Sequence, residues 1–246
     1  MSAAAPAFDF AGARALVVGG GTGLGAAMAE ALVAHGASVC IASRARHAGA
    51  AHDWIPLDIG DQHSVISAFD ELSRRWDGML HILVNCAGVN LRKRVEETTA
   101  EEWEKVLRSN LTGAFFIARQ AVPLLRKAGW GRFVQVNSVL ARTAMPLRAS
   151  YAANKAGLLQ FTRSLAVEWA AYGITANSIS PGPFLTDVTR GIVSDEAAYR
   201  RMCERIPLGR FGSPAEIATA CLFLCSKRSS YVTGVDIPVD GGWSAV

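Results

Sequence analysis

Short apolar runs separated by longer stretches of helical period constrain the fold of this chain more than any other feature. Arg14 to Gly19 is such a run, a helical pattern follows to about His35, and further apolar runs cover Ala37 to Ala42 and Trp54 to Leu57. This is a β-α-β rhythm. It continues with a helix opening near Asp61, a strand from His81 to Asn85, and a long helix from about Thr99, where Glu102 three residues on predicts a capping box. A strand from Arg132 to Asn137 precedes a helix from Tyr151 to Tyr172. Ile174 to Ile179 and Val235 to Val239 complete the strands, and Ser213-Pro-Ala-Glu216 opens one more capped helix with proline in its first position. Strands linked by helices of this length pair in parallel and are covered on both faces. The expectation is an α/β fold, a doubly wound parallel sheet of about seven strands with helices on both faces and a ligand crevice at the strand carboxyl ends.

At 246 residues the pattern runs without linker or repeat, so residues 1–246 read as a single domain, with 1–10 as a flexible N-terminus. Half of the residues are hydrophobic, yet no apolar run approaches the roughly 20 residues that span a bilayer. No membrane partner is expected, and Met1 to Pro6 lacks the features of a secretory signal. Cys40, Cys86, Cys203, Cys221 and Cys225 are scattered among apolar neighbours, which suits buried thiols in a reducing compartment and predicts a cytoplasmic protein. Cys221 and Cys225 lack further ligands nearby, so no metal is expected. The net charge of +4 is dispersed, without a long basic run, and gives nucleic-acid binding no support.

The first strand runs into Val18-Gly-Gly-Gly-Thr-Gly-Leu-Gly25. Absent side chains at Gly19, Gly23 and Gly25 let a backbone turn tightly against a pyrophosphate, whose charge then meets a helix N-terminus. Gly21, Thr22 and Leu24 belong to the same turn. Where a dinucleotide site for NAD carries an acid at the end of the second strand, this chain reads Ile41-Ala-Ser43-Arg44, with Arg46 close behind. A guanidinium suits the 2′-phosphate of NADP. NADP(H) is therefore the expected cofactor, with NAD(H) as the alternative. Asp58, with Ile59 beside it, ends the next strand, where a carboxylate can accept from the adenine amine or cap the helix near Asp61. Asn85-Cys-Ala87-Gly88 is a small turn on the path of the ribose.

Tyr151 and Lys155 are one helical turn apart, so their side chains share a face. A phenol ionises near pH 10, and an adjacent ammonium favours its anion, which equips Tyr151 to give a proton to a carbonyl oxygen or take one from an alcohol. Ser138, after the strand ending at Asn137, can hydrogen-bond the same oxygen. Asn110 is an amide in mid-helix where propensity prefers leucine or alanine, and its backbone or side chain is a candidate holder of a proton-relay water near Lys155.

With these residues in place the chain resembles the short-chain dehydrogenase/reductase family, from about Ala11 to Gly242. The family's glycine motif matches Gly19, Gly23 and Gly25, its Asn-Ala-Gly signature matches Asn85, Ala87 and Gly88, and its catalytic set falls on Asn110, Ser138, Tyr151 and Lys155. The resemblance implies a Rossmann-like fold, a lysine that also binds the nicotinamide ribose, and a turn at Pro181-Gly182 with Thr186 at the nicotinamide carboxamide. It also implies a homotetramer, in keeping with a Tyr151 helix that is apolar around much of its circumference. Two departures stand out: Val18 replaces the usual threonine and Cys86 the usual second asparagine, which puts their inter-strand hydrogen bonds in question. Arg44 to Asp58 is also short for the family and leaves little room for a helix.

The expected reaction is reversible reduction of a ketone to a secondary alcohol. Val139, Leu140, Ala141 and Arg142, together with Pro183, Phe184 and Leu185, are expected on the substrate side. The basic group Arg92-Lys93-Arg94 fits an acidic carrier protein, as in a 3-oxoacyl-carrier-protein reductase, or an anionic sugar acid, as in gluconate dehydrogenase relatives, or simply an exposed loop. A non-catalytic dinucleotide-binding sensor is the reading from another class.

Overall fold

The computed structural model describes residues 8–46 and 53–246. In chain order the elements are β1 (Arg14–Val18), α1 (Gly23–Ala34), β2 (Ser38–Ser43), β3 (Asp53–Pro56), α2 (Gln62–Arg75) and β4 (Ile82–Asn85). They continue with α3 (Ala100–Leu107), α4 (Gly113–Lys127), β5 (Gly131–Val136), α5 (Ala149–Trp169) and β6 (Ile174–Pro181). The last are α6 (Arg190–Val193), α7 (Glu196–Cys203), α8 (Pro214–Cys225) and β7 (Asp236–Val239). The strands form one parallel sheet in the order β3-β2-β1-β4-β5-β6-β7. The order reverses between β1 and β4, and this switch point opens a crevice at the strand carboxyl ends.

Central strands buried on both faces need side chains that pack in both directions. Successive residues accordingly serve opposite layers: Leu83 and Phe133 pack with Phe69, Leu72, Ile117, Leu165 and Trp169 from α2, α4 and α5, whereas Val84 and Val134 pack with Met28, Leu32, Ile217 and Leu222 from α1 and α8. Fully burying one such side chain contributes about 1.5–3 kcal/mol, so the two layers fix the strands before any polar contact is counted.

The expected caps form. Thr99 accepts from the Glu102 N–H at 3.2 Å while the Glu102 carboxylate accepts from the Thr99 N–H at 3.0 Å, and Glu216 closes the same box on Ser213. Asp61, rather than Asp58, caps α2. One expectation changes. The long helix from Thr99 is two helices joined by a π-turn over Arg108–Thr112, so Asn110 sits where the ladder carries an extra residue. The N-terminal segment is anchored by residue 10: the Phe10 N–H donates to the His35 carbonyl at 2.8 Å and its ring is buried beside α1. Residues 1–7, and the centre of the short stretch between Arg44 and Asp58, 47–52, lie outside the described residues. Among the described residues no helix is long and apolar enough to cross a membrane, and no cluster of His, Cys, Asp or Glu is suited to a metal.

Candidate active site

A cleft of about 880 Å³ opens at the carboxyl ends of β1, β2, β4, β5 and β6. Its floor begins at the glycine turn, through Gly19, Gly21, Thr22, Gly23 and Leu24. A Cβ on Gly19, whose φ is +75°, would meet the Ala87 backbone nitrogen at 2.8 Å, so the two turns touch through bare backbone. Gly25 does not line the cleft. A Cβ there would lie 2.1 Å from the Gly19 carbonyl oxygen, so this glycine lets α1 pack onto the turn. Thr22 stands at the N-cap of α1 without a side-chain cap hydrogen bond, which leaves first-turn N–H groups directed at the cleft. A cradle of bare backbone at a helix N-terminus fits the pyrophosphate of a dinucleotide.

From the turn the cleft extends past Ser43 and exposed Arg44 to Asp58 and Ile59. The Ser43 hydroxyl donates to the Ala45 carbonyl at 2.8 Å and accepts from Trp54 Nε1 at 2.9 Å, so it shapes the loop that carries Arg44. Asp58 accepts from the Gly60 N–H at 2.9 Å and keeps its carboxylate at the cleft edge. The guanidinium of Arg44 at this end of the cleft fits a 2′-phosphate.

In the other direction lie Cys86, Ala87, Gly88, Asn137, Ser138, Tyr151, Lys155, Pro181, Gly182 and Thr186. Tyr151 is half-buried and Lys155 is 5% exposed, with its Nζ 5.6 Å from the centre of the phenol ring. That ammonium donates to the Val136 carbonyl at 2.9 Å, which fixes it under the carboxyl end of β5. The Ser138 hydroxyl accepts from the Leu140 N–H at 3.2 Å, an arrangement that leaves its proton for a further acceptor. Phenol, ammonium and hydroxyl thus share one wall of the same cleft as the glycine turn.

Asn85 and Asn110 act from behind the wall. Asn110 Oδ1 accepts from the Val89 N–H at 2.8 Å and its Nδ2 donates to the Val89 carbonyl at 2.9 Å. The side chain is therefore committed to the turn after Gly88, and the expectation that it holds a water narrows to the Asn110 backbone. Asn85 Nδ2 donates to Gln135 Oε1 at 2.9 Å, and Gln135 Nε2 returns a bond to the Asn85 carbonyl at 3.2 Å. This buried pair ties β4 to β5. Where Val18 and Cys86 cannot supply side-chain bonds, backbone bonds serve: Gly19 N–H to Ala42 and Cys86 N–H to Val18, at 2.8 and 2.9 Å. Burial pushes the Cys86 thiol up to about 11, so it faces the cleft as a neutral group.

The substrate side differs from expectation. Val139 and Leu140 pack with Ile206, Phe211 and Trp243, and Arg142 turns to the sheet edge, 3.2 Å from the buried Asp236 carboxylate, which also accepts from Ser180 at 2.8 Å. Pro183 and Phe184 do line the cleft, while exposed Leu185 borders a separate hollow with Gly23 and Thr186. Asn90 and Asn137 join the lining unforeseen. Asn137 is 2% exposed, and among the described residues neither of its amide atoms has a partner. The loops facing Tyr151 are also tied together: the Lys93 N–H donates to the Leu147 carbonyl at 3.1 Å, with Leu147 in the left-handed region at φ +66°.

A family model described as Enoyl-(Acyl carrier protein) reductase matches residues 19–244. The chain is similar to the 3-oxoacyl-[acyl-carrier-protein] reductase FabG of Aquifex aeolicus, 37% identical over 94% of this chain and 97% of the relative. It is also similar to gluconate 5-dehydrogenase of Gluconobacter oxydans, 32% identical over 96% of each. Among solved structures, a gluconate 5-dehydrogenase from Burkholderia cenocepacia J2315 in complex with NADP and tartrate superposes with a TM-score of 0.92, at 34% identity over 97% of this chain and 98% of that one.

Proposed function

The chain belongs to the short-chain dehydrogenase/reductase family, and on that premise we propose that it is an NADP(H)-dependent oxidoreductase reversibly reducing a ketone to a secondary alcohol. One observation carries the reading: Ser138, Tyr151 and Lys155 share a single cleft with the glycine turn and Arg44. The dinucleotide, when bound, supplies or accepts the hydride. Gly19, Gly21, Thr22, Gly23, Leu24, Asp58, Ile59, Ala87, Gly88, Pro181, Gly182 and Thr186 hold it, with Gly25 and Asn85 supporting the turns from behind and Ser43 presenting Arg44 to the 2′-phosphate. NADP in the related Burkholderia complex supports this preference over NAD(H).

Tyr151 gives its proton to the carbonyl oxygen during reduction and takes one back from the alcohol during oxidation. The Lys155 ammonium favours the phenolate and binds the nicotinamide ribose. Ser138 donates to the same oxygen and stabilises the charge that develops there. The Asn110 backbone holds the relay water. Tyr151→Phe is expected to lose turnover while retaining NADPH binding, read by cofactor fluorescence; near-normal turnover would remove this mechanism. A screen of ketones and alcohols by NADPH absorbance identifies the substrate.

The relatives' names support two narrower readings, a carrier-bound 3-oxoacyl group and a sugar acid. Exposed Arg92 beside the cleft loop suits either. Carrier docking through surface charge weakens steeply as salt rises, whereas a small substrate held inside the cleft responds less. We place the protein in the cytoplasm, where its five free cysteines stay reduced. It is a homotetramer in this reading, supported by exposed Val167 on α5, Phe115 on α4 and Phe223 on α8. Leu158, Leu159, Leu165 and Trp169, by contrast, are covered within their own chain.

A further inference from the structure

Arg148 is the N-cap residue of α5, three residues before Tyr151. It is half-buried, and its NH1 donates to Asn90 Oδ1 at 2.6 Å, with Asn90 lining the cleft. The Leu147 to Lys93 backbone bond holds the two loops that carry these residues together. Within the basic stretch, Lys93 is paired with Glu102 at 2.8 Å and Arg94 with Glu96 at 3.5 Å. Among the described residues no carboxylate lies within ion-pair distance of Arg92 or Arg148. Burial first, and then the charge of Arg92, push the Arg148 pKa below its ordinary value, with Tyr151 acting the other way.

We propose that Arg148, reinforced by Arg92, binds a carboxylate carried on the substrate's own carbon skeleton, so that the enzyme selects oxo acids and hydroxy acids over neutral ketones and alcohols. The inference rests on the oxidoreductase reading above and narrows its substrate class. Asn90 takes one of the several N–H donors of the guanidinium and orients the rest, which suit a carboxylate in paired, charge-assisted bonds. Its hydrogen bond to Asn90 sets the guanidinium beside the cleft that holds Tyr151, in place for an anion on the same molecule whose carbonyl meets the phenol.

The test uses matched pairs differing in charge: acetoacetate with methyl acetoacetate, levulinate with methyl levulinate, and 5-ketogluconate with L-sorbose. The full-length enzyme is expected to prefer the anionic member of at least one pair by roughly 10- to 100-fold in kcat/KM. Arg148→Met should erase that preference, chiefly through KM, and Arg148→Lys should restore part of it. Where turnover is slow, calorimetric titration of each member into the NADP⁺-loaded enzyme reads the same preference as a ratio of Kd values. Equal handling of all pairs by the wild type, or a preference that survives Arg148→Met, overturns the proposal. Failure of the broader reading looks different, because the protein then shows no NADPH fluorescence change whatever carbonyl compound is offered.

Discussion

Ser138 illustrates what the proposed mechanism asks of a single residue. With one lone pair occupied by the Leu140 N–H, its proton is free to meet an oxygen on which negative charge builds. Ser138→Ala is expected to lower kcat by about a hundred- to a thousandfold, the usual loss for one donor of this kind, with NADPH affinity retained; a variant within threefold of wild type would contradict the role. Arg44 is prepared differently, held at the cleft rim by a loop that Trp54 and Ser43 shape. Arg44→Asp should raise the KM for NADPH by about one to two orders of magnitude and lower that for NADH, inverting the ratio of their kcat/KM values. An unchanged ratio sinks the assignment.

At the scale of elements, α8 carries its own acid sensitivity. Arg210 makes a two-pronged bond to Glu216 at 2.8 Å, and Glu216 also accepts from the Ser213 N–H, so its pKa falls from 4.5 to about 2. A carboxylate depressed on folding stabilises above its unfolded pKa and loses that contribution as pH falls towards the folded one. The Tm advantage of wild type over Glu216→Gln should therefore be full at about pH 5.5 and shrink towards about pH 2; a constant gap would refute it. Elements of this kind were legible in the chain because local chemistry dictates them: Ser213 and Glu216 are three residues apart, and strands such as His81 to Asn85 announce two-sided burial by unbroken apolar runs. What stayed hidden depends on partners distant in sequence. Asn110 looked misplaced in a helix, but its reason is the Val89 backbone, 21 residues away, and the π-turn that aims it disturbs the hydrophobic period too briefly to be read. Gln135 and Asn85 meet across 50 residues, and Arg148 reads as an ordinary helix start until Asn90 and Arg92 are set beside it.

The whole molecule presents exposed apolar groups on α4, α5 and α8, and Val167 is the most open of the three named above, at 81%. If copies of the chain cover α5, Val167→Glu should shift the mass measured by light scattering towards smaller species at equal concentration, with the secondary-structure signal intact; an unchanged mass removes α5 from the contact. The sheet order has a consequence for how the chain reaches its native state. β1 pairs with β2 on one flank and with β4 on the other, its Ala15 opposite Ile82. During synthesis the first three strands can assemble, but the second flank of β1 stays an unsatisfied hydrogen-bonding edge until residues near 82 have left the ribosome. Every later pairing in this all-parallel order spans a helix, and such long closures make folding slow and leave nascent chains sticky. The arrangement that opens the crevice for a nucleotide therefore also leaves the half-made protein with an open strand edge.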